Sequence, residues 1–491
     1  MKPRALWVGL LFAFNGCASG GGEGATAGWA SKVPWIGEKS GEATMLAGVK
    51  PGPYEPSSLA VGEEKDLARH RGEALGFVRA PVLEQHLAEL RASLVQASRK
   101  TGVPGRVVIL ASASYDAFST PDGNVYVSMG LVSALESDDE VAAVVAHELS
   151  HVLLKHHTSD VLADMEKRGQ ALYELGLDAK TQFTGTQAGK SDTRNLLAIQ
   201  AATEATDKVM LPAWGRGQER DADRLGVDLL VESGHSAPAM ISMLEKLQAW
   251  ETANAQAEQD FWERMKQASQ RNLNETVGVL YQKVTQSTSD AHPKTAERME
   301  DTARYLERHY GNRDLAEPKA DAWTSAKSRP EVAQVLQNYK QAFAARRLLE
   351  EGKAQDAYTA ARTAATGRTA NDAYPNWILS RSAIAVGRQN EAIDALRRAV
   401  GSAEPVAVVY EDLILVNERA GRVPVALDWA DRASQVFAGA PRWTPHKIRL
   451  LRKTGRIIEA NTLALNCSVS TPDLKRQCQE ANQTPAGQTR R

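Results

Sequence analysis

The run VAAVVAHELSHVLLKHH, residues 141–157, constrains this chain more than any other stretch. It is apolar enough to be a buried helix, and it places His147 and His151 four residues apart. On a helix of about 3.6 residues per turn, a step of four overshoots a full circle by only about 40°, so both imidazoles project from one face. Two imidazoles so placed can reach a single metal ion, and Glu148 stands where a general base would take a proton from a water. Val141, Val144, Val145, Leu149 and Val152 give the helix an apolar stripe. Ser137-Asp138-Asp139-Glu140 reads as a capping box with acidic residues at the positive end of the helix dipole. The alternative is a pair of core histidines on an ordinary helix.

A catalytic zinc commonly keeps three protein ligands, so a further donor is needed from elsewhere in the chain. The run GQERDADRLGVDLLVESG supplies one: Glu219 and Asp223 are four apart and share a face of a second helix, with Asp221 turned away. Glu219 would ligate the metal, and Asp223 would hydrogen-bond a ligand imidazole to fix its tautomer. Read by itself, the same stretch is an acidic surface helix. His156 and His157 fall five and six residues past His151, off its helical face, and read as structural or solvated.

With these motifs in order, the chain resembles the zinc metallopeptidases that include the type 1 CAAX prenyl endopeptidases and the HtpX-like heat-shock proteases. The matching block runs from SYDAFSTPDGNVYVSMGLVSAL through HELSH and ERDAD to DAHPKTAERM, about residues 60 to 310. The resemblance implies one zinc ion per chain, held by His147, His151 and Glu219, with Glu148 as catalytic base. It also implies that His292 and Arg298 line the active site, and that Asp116-Ala117-Phe118 with Asn124-Val125-Tyr126-Val127 forms a strand beside the cleft. The family's usual Asn-Ala-Phe is Asp-Ala-Phe here.

Physical reading of the same segments agrees in part. Residues 124 to 128 are rich in β-formers, and Pro121-Asp122-Gly123 is a turn that would join them to residues 114 to 118 as a hairpin. An edge strand beside a metal can pair with an extended peptide, although a purely structural hairpin would look alike. His292 could donate to a developing oxyanion, and Arg298 could hold a substrate carboxylate or carbonyl. His292 could equally occupy the open metal position as a gate, or be a loop residue before Pro293.

At the N-terminus, Lys2 and Arg4 precede an apolar run from Leu6 to Phe14, too short to span a bilayer and suited to a secretory signal. Phe14-Asn15-Gly16-Cys17 resembles a bacterial lipobox, which implies lipidation at Cys17. With Ala18-Ser19 following, resemblance to sorted lipoproteins implies the outer membrane, facing the periplasm. Residues 18–58, rich in Gly, Ser, Pro and Ala, read as a flexible tether. No later segment is apolar and long enough to cross a bilayer, and a net charge of -1 gives no general attraction to nucleic acid.

The C-terminal third carries a repeat. GKAQDA, GRQNEA, GRVPVA and GRIIEA recur at intervals of 35, 34 and 34 residues. Seven residues past each motif alanine stand Ala364, Ala399, Ala433 and Cys467. A period of 34 with glycine at a helix turn and small residues at fixed offsets is the pattern of tetratricopeptide repeats, stacked helix pairs that bind peptides or proteins. An unrelated helical bundle is the alternative. Cys467 and Cys478 are eleven apart and could form a disulfide in an oxidising compartment, or Cys467 could be only a small packed residue.

The expected fold is mainly α with a small β-sheet: a zincin-like metallopeptidase domain followed by an α-solenoid of tetratricopeptide-like repeats. The expected segments are a signal peptide and lipobox (1–17), the tether (18–58), the metallopeptidase (59–318), the repeats (330–467) and a tail (468–491). Residues 158 to 210 would form a lid or gate, and 250 to 285 a packed hairpin around Trp250, Phe261 and Trp262. The expected activity is zinc-dependent endoproteolysis of unfolded or misassembled envelope proteins. The repeats would hold clients or outer-membrane assembly machinery, and the lipid anchor would hold the outer membrane. A chaperone or assembly scaffold with little proteolysis is the rival from another class.

Overall fold

The computed structural model describes residues 43–73, 76–158, 214–269, 295–437, 441–471 and 474–485. The chain opens with a 3-10 turn (Leu46–Gly48) and the short strand β1 (Gly52–Pro53), followed by α1 (Glu63–Glu73) and α2 (Pro81–Ala97). Strands β2 (Lys100–Thr101), β3 (Val107–Leu110), β4 (Ala117–Ser119) and β5 (Val125–Ser128) come next. Helices α3 (Met129–Ala134), α4 (Asp138–Leu153), α5 (Arg216–Glu232), α6 (Ala239–Ser269), α7 (Thr295–Tyr310) and α8 (Asp321–Ser328) complete the first body. The sheet order is β3-β5-β4, with β3 parallel and β4 antiparallel to β5, which leaves β4 at an edge among the described residues. The expected hairpin is present, but its first strand lies later than residues 114 to 118.

Helix α4 forms where its sequence signals put it. The Ser137 hydroxyl accepts from the Glu140 amide at 3.1 Å. The Glu140 carboxylate accepts instead from Glu136, one residue before the cap, at 2.6 Å. Asp138 and Asp139 do more than face the helix dipole. Asp139 accepts from His235, and Asp138 accepts from the amides of Ala322 and Trp323. Every residue of α4 is buried. Helix α5 lies directly against it, and Gly226 makes the approach possible: a side chain there would meet Met240 at 2.5 Å and the His147 backbone at 3.4 Å.

Two boundaries differ from expectation. Residues 43–58 belong to the packed body and are no tether: Leu46 is buried, its amide donates to buried Asp228 at 2.8 Å, and β1 pairs with β2. Three apolar residues in that stretch, Met45, Leu46 and Tyr54, outweigh its Gly-Pro composition. Residues 18–42, with Cys17, lie outside the described residues. The first body also runs past residue 318, because α8 docks on it through fully buried Trp323, whose indole donates to the Leu135 carbonyl at 2.9 Å.

Paired helices follow: α9 (Pro330–Glu350) with α10 (Ala354–Ala364), α11 (Ala373–Ala385) with α12 (Gln389–Val400), α13 (Ala407–Arg419) with α14 (Val423–Val436), and α15 (Thr444–Lys453) with α16 (Ile457–Ser470). Their arrangement is consistent with helical repeats. Gly352, Gly387, Gly421 and Gly455 sit at the turn inside each pair with φ between 72° and 79°, a backbone that side-chain-bearing residues adopt only at a cost. The motif alanines Ala357, Ala392, Ala426 and Ala460, and Ala364, Ala399, Ala433 and Cys467 seven residues on, are all buried between helices. The last pair is closed by α17 (Lys475–Asn482), and Cys467 and Cys478 are joined by a disulfide.

The first helix pairs share the core of the first body, since one cluster of buried apolar residues runs from Leu46 to Leu413, while the last pairs pack around a second cluster from Ala407 to Ala481. Glu404, just before α13, accepts from Arg71 of α1 at 3.0 Å and from Arg79 at 3.3 Å.

Glu418 on α13 accepts two hydrogen bonds from Arg449 of α15, at 3.0 and 2.9 Å, and pairs with Lys453 at 2.8 Å. Burial alone would raise its pKa, but Arg449 and Lys453 outweigh that and bring it down to about 2. A depressed carboxylate stabilises the fold above its unfolded pKa, about 4.3, and loses that contribution as pH falls toward the folded value. Glu418→Gln should therefore cost about 3 kcal/mol near neutral pH, and the difference from the parent should shrink between about pH 4.3 and 2. Urea unfolding across that pH range checks it.

Candidate metal centre

Helix α4 ends at Leu153 and carries His147, Glu148 and His151 into the space faced by α5 and α7. The Nε2 atoms of His147 and His151 are 3.2 Å apart, and Oε2 of Glu219 lies 3.6 Å from the first. All three side chains are buried, and among the described residues they form a group whose ligand atoms lie within 4.8 Å of one another. Tetrahedral zinc, with bonds of about 2.0–2.1 Å, holds its ligand atoms about 3.3 Å apart, so the spacing fits such an ion.

The charges fit as well. Glu148, Glu219 and Asp223 are buried carboxylates, and Arg298 is the permanent cation that touches two of them. With both imidazoles neutral and the carboxylates ionised, a dication would bring this group to neutrality, as burial requires.

Asp223 stands behind His147, with Oδ1 at 2.9 Å from Nδ1. Burial works against a proton on His147, but Asp223 outweighs it and lifts the imidazole above its usual range. Among the described residues no carboxylate stands behind His151, and burial, with His147 adding to it, holds it well below that range. Burial pushes the Glu148 carboxyl up to about 7, with Glu219 adding to the rise and His147 opposing it. Oε2 of Glu148 has no hydrogen-bond partner among the described residues. A carboxyl so placed, next to two ligand-type histidines, has an oxygen free to exchange a proton.

Arg298 is where the structure corrects the sequence reading. Its Nε and Nη2 donate to the two oxygens of Asp223 at 2.9 and 2.7 Å, and its Nη1 lies 2.9 Å from Oε2 of Glu219. Three edges of the planar fork are engaged by the protein's own carboxylates, so Arg298 clamps α7 to α5 and fixes Glu219 and Asp223. His292 and the expected lid at 158 to 210, apart from Thr158, lie outside the described residues. Of the expected hairpin at 250 to 285, Trp250 stacks on Tyr115, with centroids 5.5 Å apart. The side chains of Phe261 and Trp262 lie outside the described set.

His156 and His157 do not rotate away, because the helix has already ended. Lys155 takes a positive φ of 54°, and the turned chain brings the His156 amide to the His151 carbonyl at 3.0 Å. The two rings meet Nδ1 to Nδ1 at 2.9 Å. His157 is buried, its Nε2 is 3.0 Å from the Ser119 carbonyl on β4, and burial holds its pKa down to about 4. Trp214 stacks on His151 at 4.3 Å with an interplanar angle of 16°. A left-handed lysine leaves no glycine in the sequence to mark the turn, so helical phase misplaced both histidines.

Two buried histidines of an HExxH helix facing Glu219 of α5, with Glu148 beside them, define a metallopeptidase site. Residues 81–305 match the model of peptidase family M48, and with the buried His-His-Glu group this part of the chain is a metallopeptidase domain. Among curated proteins, it is similar to the beta-barrel assembly-enhancing protease of Escherichia coli strain K12, 26% identical over 197 residues, 39% of each chain. The Yersinia pestis protein of that name is 28% identical over 197 residues, again 39% of each. Metalloprotease LoiP of Escherichia coli strain K12 is 27% identical over 146 residues, 30% of this chain and 52% of that one. The similarity thus spans about two fifths of the length of the two assembly-enhancing proteases.

Removing the Arg298 cation would leave Asp223 and Glu219 buried without compensation. Arg298→Met should lower the stability of the metal-free protein by about 3–5 kcal/mol, and adding Asp223→Asn should recover part of that loss. Denaturant melts of the two single variants and the double variant measure the coupling; strictly additive losses would show that the clamp carries no interaction energy.

Proposed function

We propose that the protein is a zinc-dependent endopeptidase acting on unfolded or misassembled envelope proteins in the periplasm, anchored to the outer membrane through Cys17. The single observation that carries the catalytic part is the buried group of His147, His151 and Glu219 with Glu148 beside it. A zinc ion there would polarise the scissile carbonyl and lower the pKa of a water; cobalt or manganese would also suit the donor set. Glu148 takes the proton of the attacking water and returns it to the leaving amine, a cycle that suits a carboxyl lifted toward neutrality by burial. Asp223 holds His147 in place, and Arg298 holds Asp223 and Glu219. His292 would act near the same centre, as oxyanion donor or as gate.

No further strand pairs with the outer edge of β4 among the described residues, although His157 meets the Ser119 carbonyl there, and an extended, unfolded segment can add to such an edge by backbone hydrogen bonds. That mode of binding needs a client without fixed tertiary structure. The paired helices would be tetratricopeptide-like repeats that hold clients or assembly machinery close to the cleft. The named function of the assembly-enhancing relatives supports this reading of clients. The Cys467–Cys478 disulfide supports an oxidising compartment. No helix among the described residues is long and apolar enough to cross a membrane.

The test is Glu148→Gln against the parent, on an unfolded protein substrate and on outer-membrane assembly in cells. Loss of the base should leave metal content unchanged and lower cleavage by about 100- to 10,000-fold. Assembly should fail with it. Full rescue of assembly by the variant would instead make a scaffold of the protein, with the repeats as its working part.

A further inference from the structure

The geometry points to His156 and Trp214 as the positioning residues of His151, a second support for the metal centre that complements Asp223 behind His147. The inference rests on the metal reading above and adds residues to it. His151 is 0% exposed and presents Nε2 toward Nε2 of His147, 3.2 Å away. For Nε2 to offer a lone pair to a metal, the neutral ring must carry its proton on Nδ1. The atom that faces Nδ1 is Nδ1 of His156, at 2.9 Å, and two ring nitrogens at that distance need one donor and one acceptor. His151 therefore donates, His156 accepts, and His156 keeps its own proton on Nε2. A ligand histidine usually gives its second N–H to a carboxylate, a carbonyl or a water; here an imidazole fills that place.

Trp214 supplies the other restraint. Its indole lies flat on the His151 ring, 4.3 Å between centroids, and is itself 3% exposed, so the imidazole cannot tilt without opening the contact. The edge of His157 meets Trp214 at 5.0 Å and 81°, and Nε2 of His157 reaches the Ser119 carbonyl on β4 at 3.0 Å. The His156 carbonyl accepts from Gln218 at 3.0 Å, one residue before the ligand Glu219. The turn after α4 is thus tied to the start of α5, to the sheet edge and to the face of His151. A neutral acceptor and an aromatic plate fix the ring's rotation without adding a charge to a site that already holds three carboxylates and one arginine.

The experiment measures zinc affinity of the full chain by chelator competition, with the visible spectrum of the cobalt form as a second readout. His156→Ala and Trp214→Ala should each weaken zinc binding about 10- to 100-fold and alter the cobalt bands. His156→Asn, whose Oδ1 can accept where Nδ1 did, and Trp214→Phe, which keeps a flat ring, should stay within about threefold of the parent. Unchanged affinity and spectrum in His156→Ala, with His151→Ala losing zinc, would overturn the inference while leaving the metal site standing. Undiminished zinc binding in His147→Ala and His151→Ala would overturn both. Should His156→Ala fail to fold, His156→Asn against His156→Phe decides: equal affinities refute the acceptor role, and tighter binding by the asparagine variant upholds it.

Discussion

Arg298 makes the centre possible. A buried carboxylate without a partner neutralises or unfolds its surroundings, and this site places Glu148, Glu219 and Asp223 around two imidazoles. The guanidinium is always charged, and its fork meets Asp223 at two points and Glu219 at a third. Asp223, held down by Arg298 against the effect of burial, can stay ionised behind His147, and Glu219 can stay ionised as a ligand. Glu148 lies outside the fork, so burial lifts its pKa to about 7. One cation thus divides three carboxylates into two that hold and one that can trade a proton.

The packing of helices α4, α5 and α7 serves that arrangement. Gly226 lets α5 come against the His147 backbone, and α7 is clamped to α5 through Arg298. Asp228, nine residues beyond Glu219 on α5, accepts from Tyr305 and Tyr310 of α7 and from the Leu46 amide. The same α5–α7 contact that positions the ligands therefore also fastens the described N-terminal residues to the body. Glu404 joins the paired helices to α1, so they and the body that holds the metal site are packed together.

Much of this was legible because periodicity and chemistry coincide. The four-residue steps in HELSH and ERDAD put donors on helix faces, and the structure brings those faces together. The repeat glycines and alanines were legible for a similar reason: each marks a left-handed turn or a close helix contact that few other residues tolerate. What escaped depends on tertiary context. The positive φ of Lys155 has no sequence mark, yet it turns His156 and His157 back to the site. Arg298 reads as a substrate contact until its partners are seen. Residues 43–58 look like linker by composition, and buried Leu46 and Tyr54, with Met45 packed beside them and a single carboxylate contact, override that.

A metal ion held between α4 and α5 would be located by anomalous scattering from crystals at the zinc edge. One peak per chain is expected, about 2.0–2.2 Å from Nε2 of His147, Nε2 of His151 and a carboxylate oxygen of Glu219. A peak elsewhere, or no peak in crystals grown from protein that still cleaves its substrate, would contradict it.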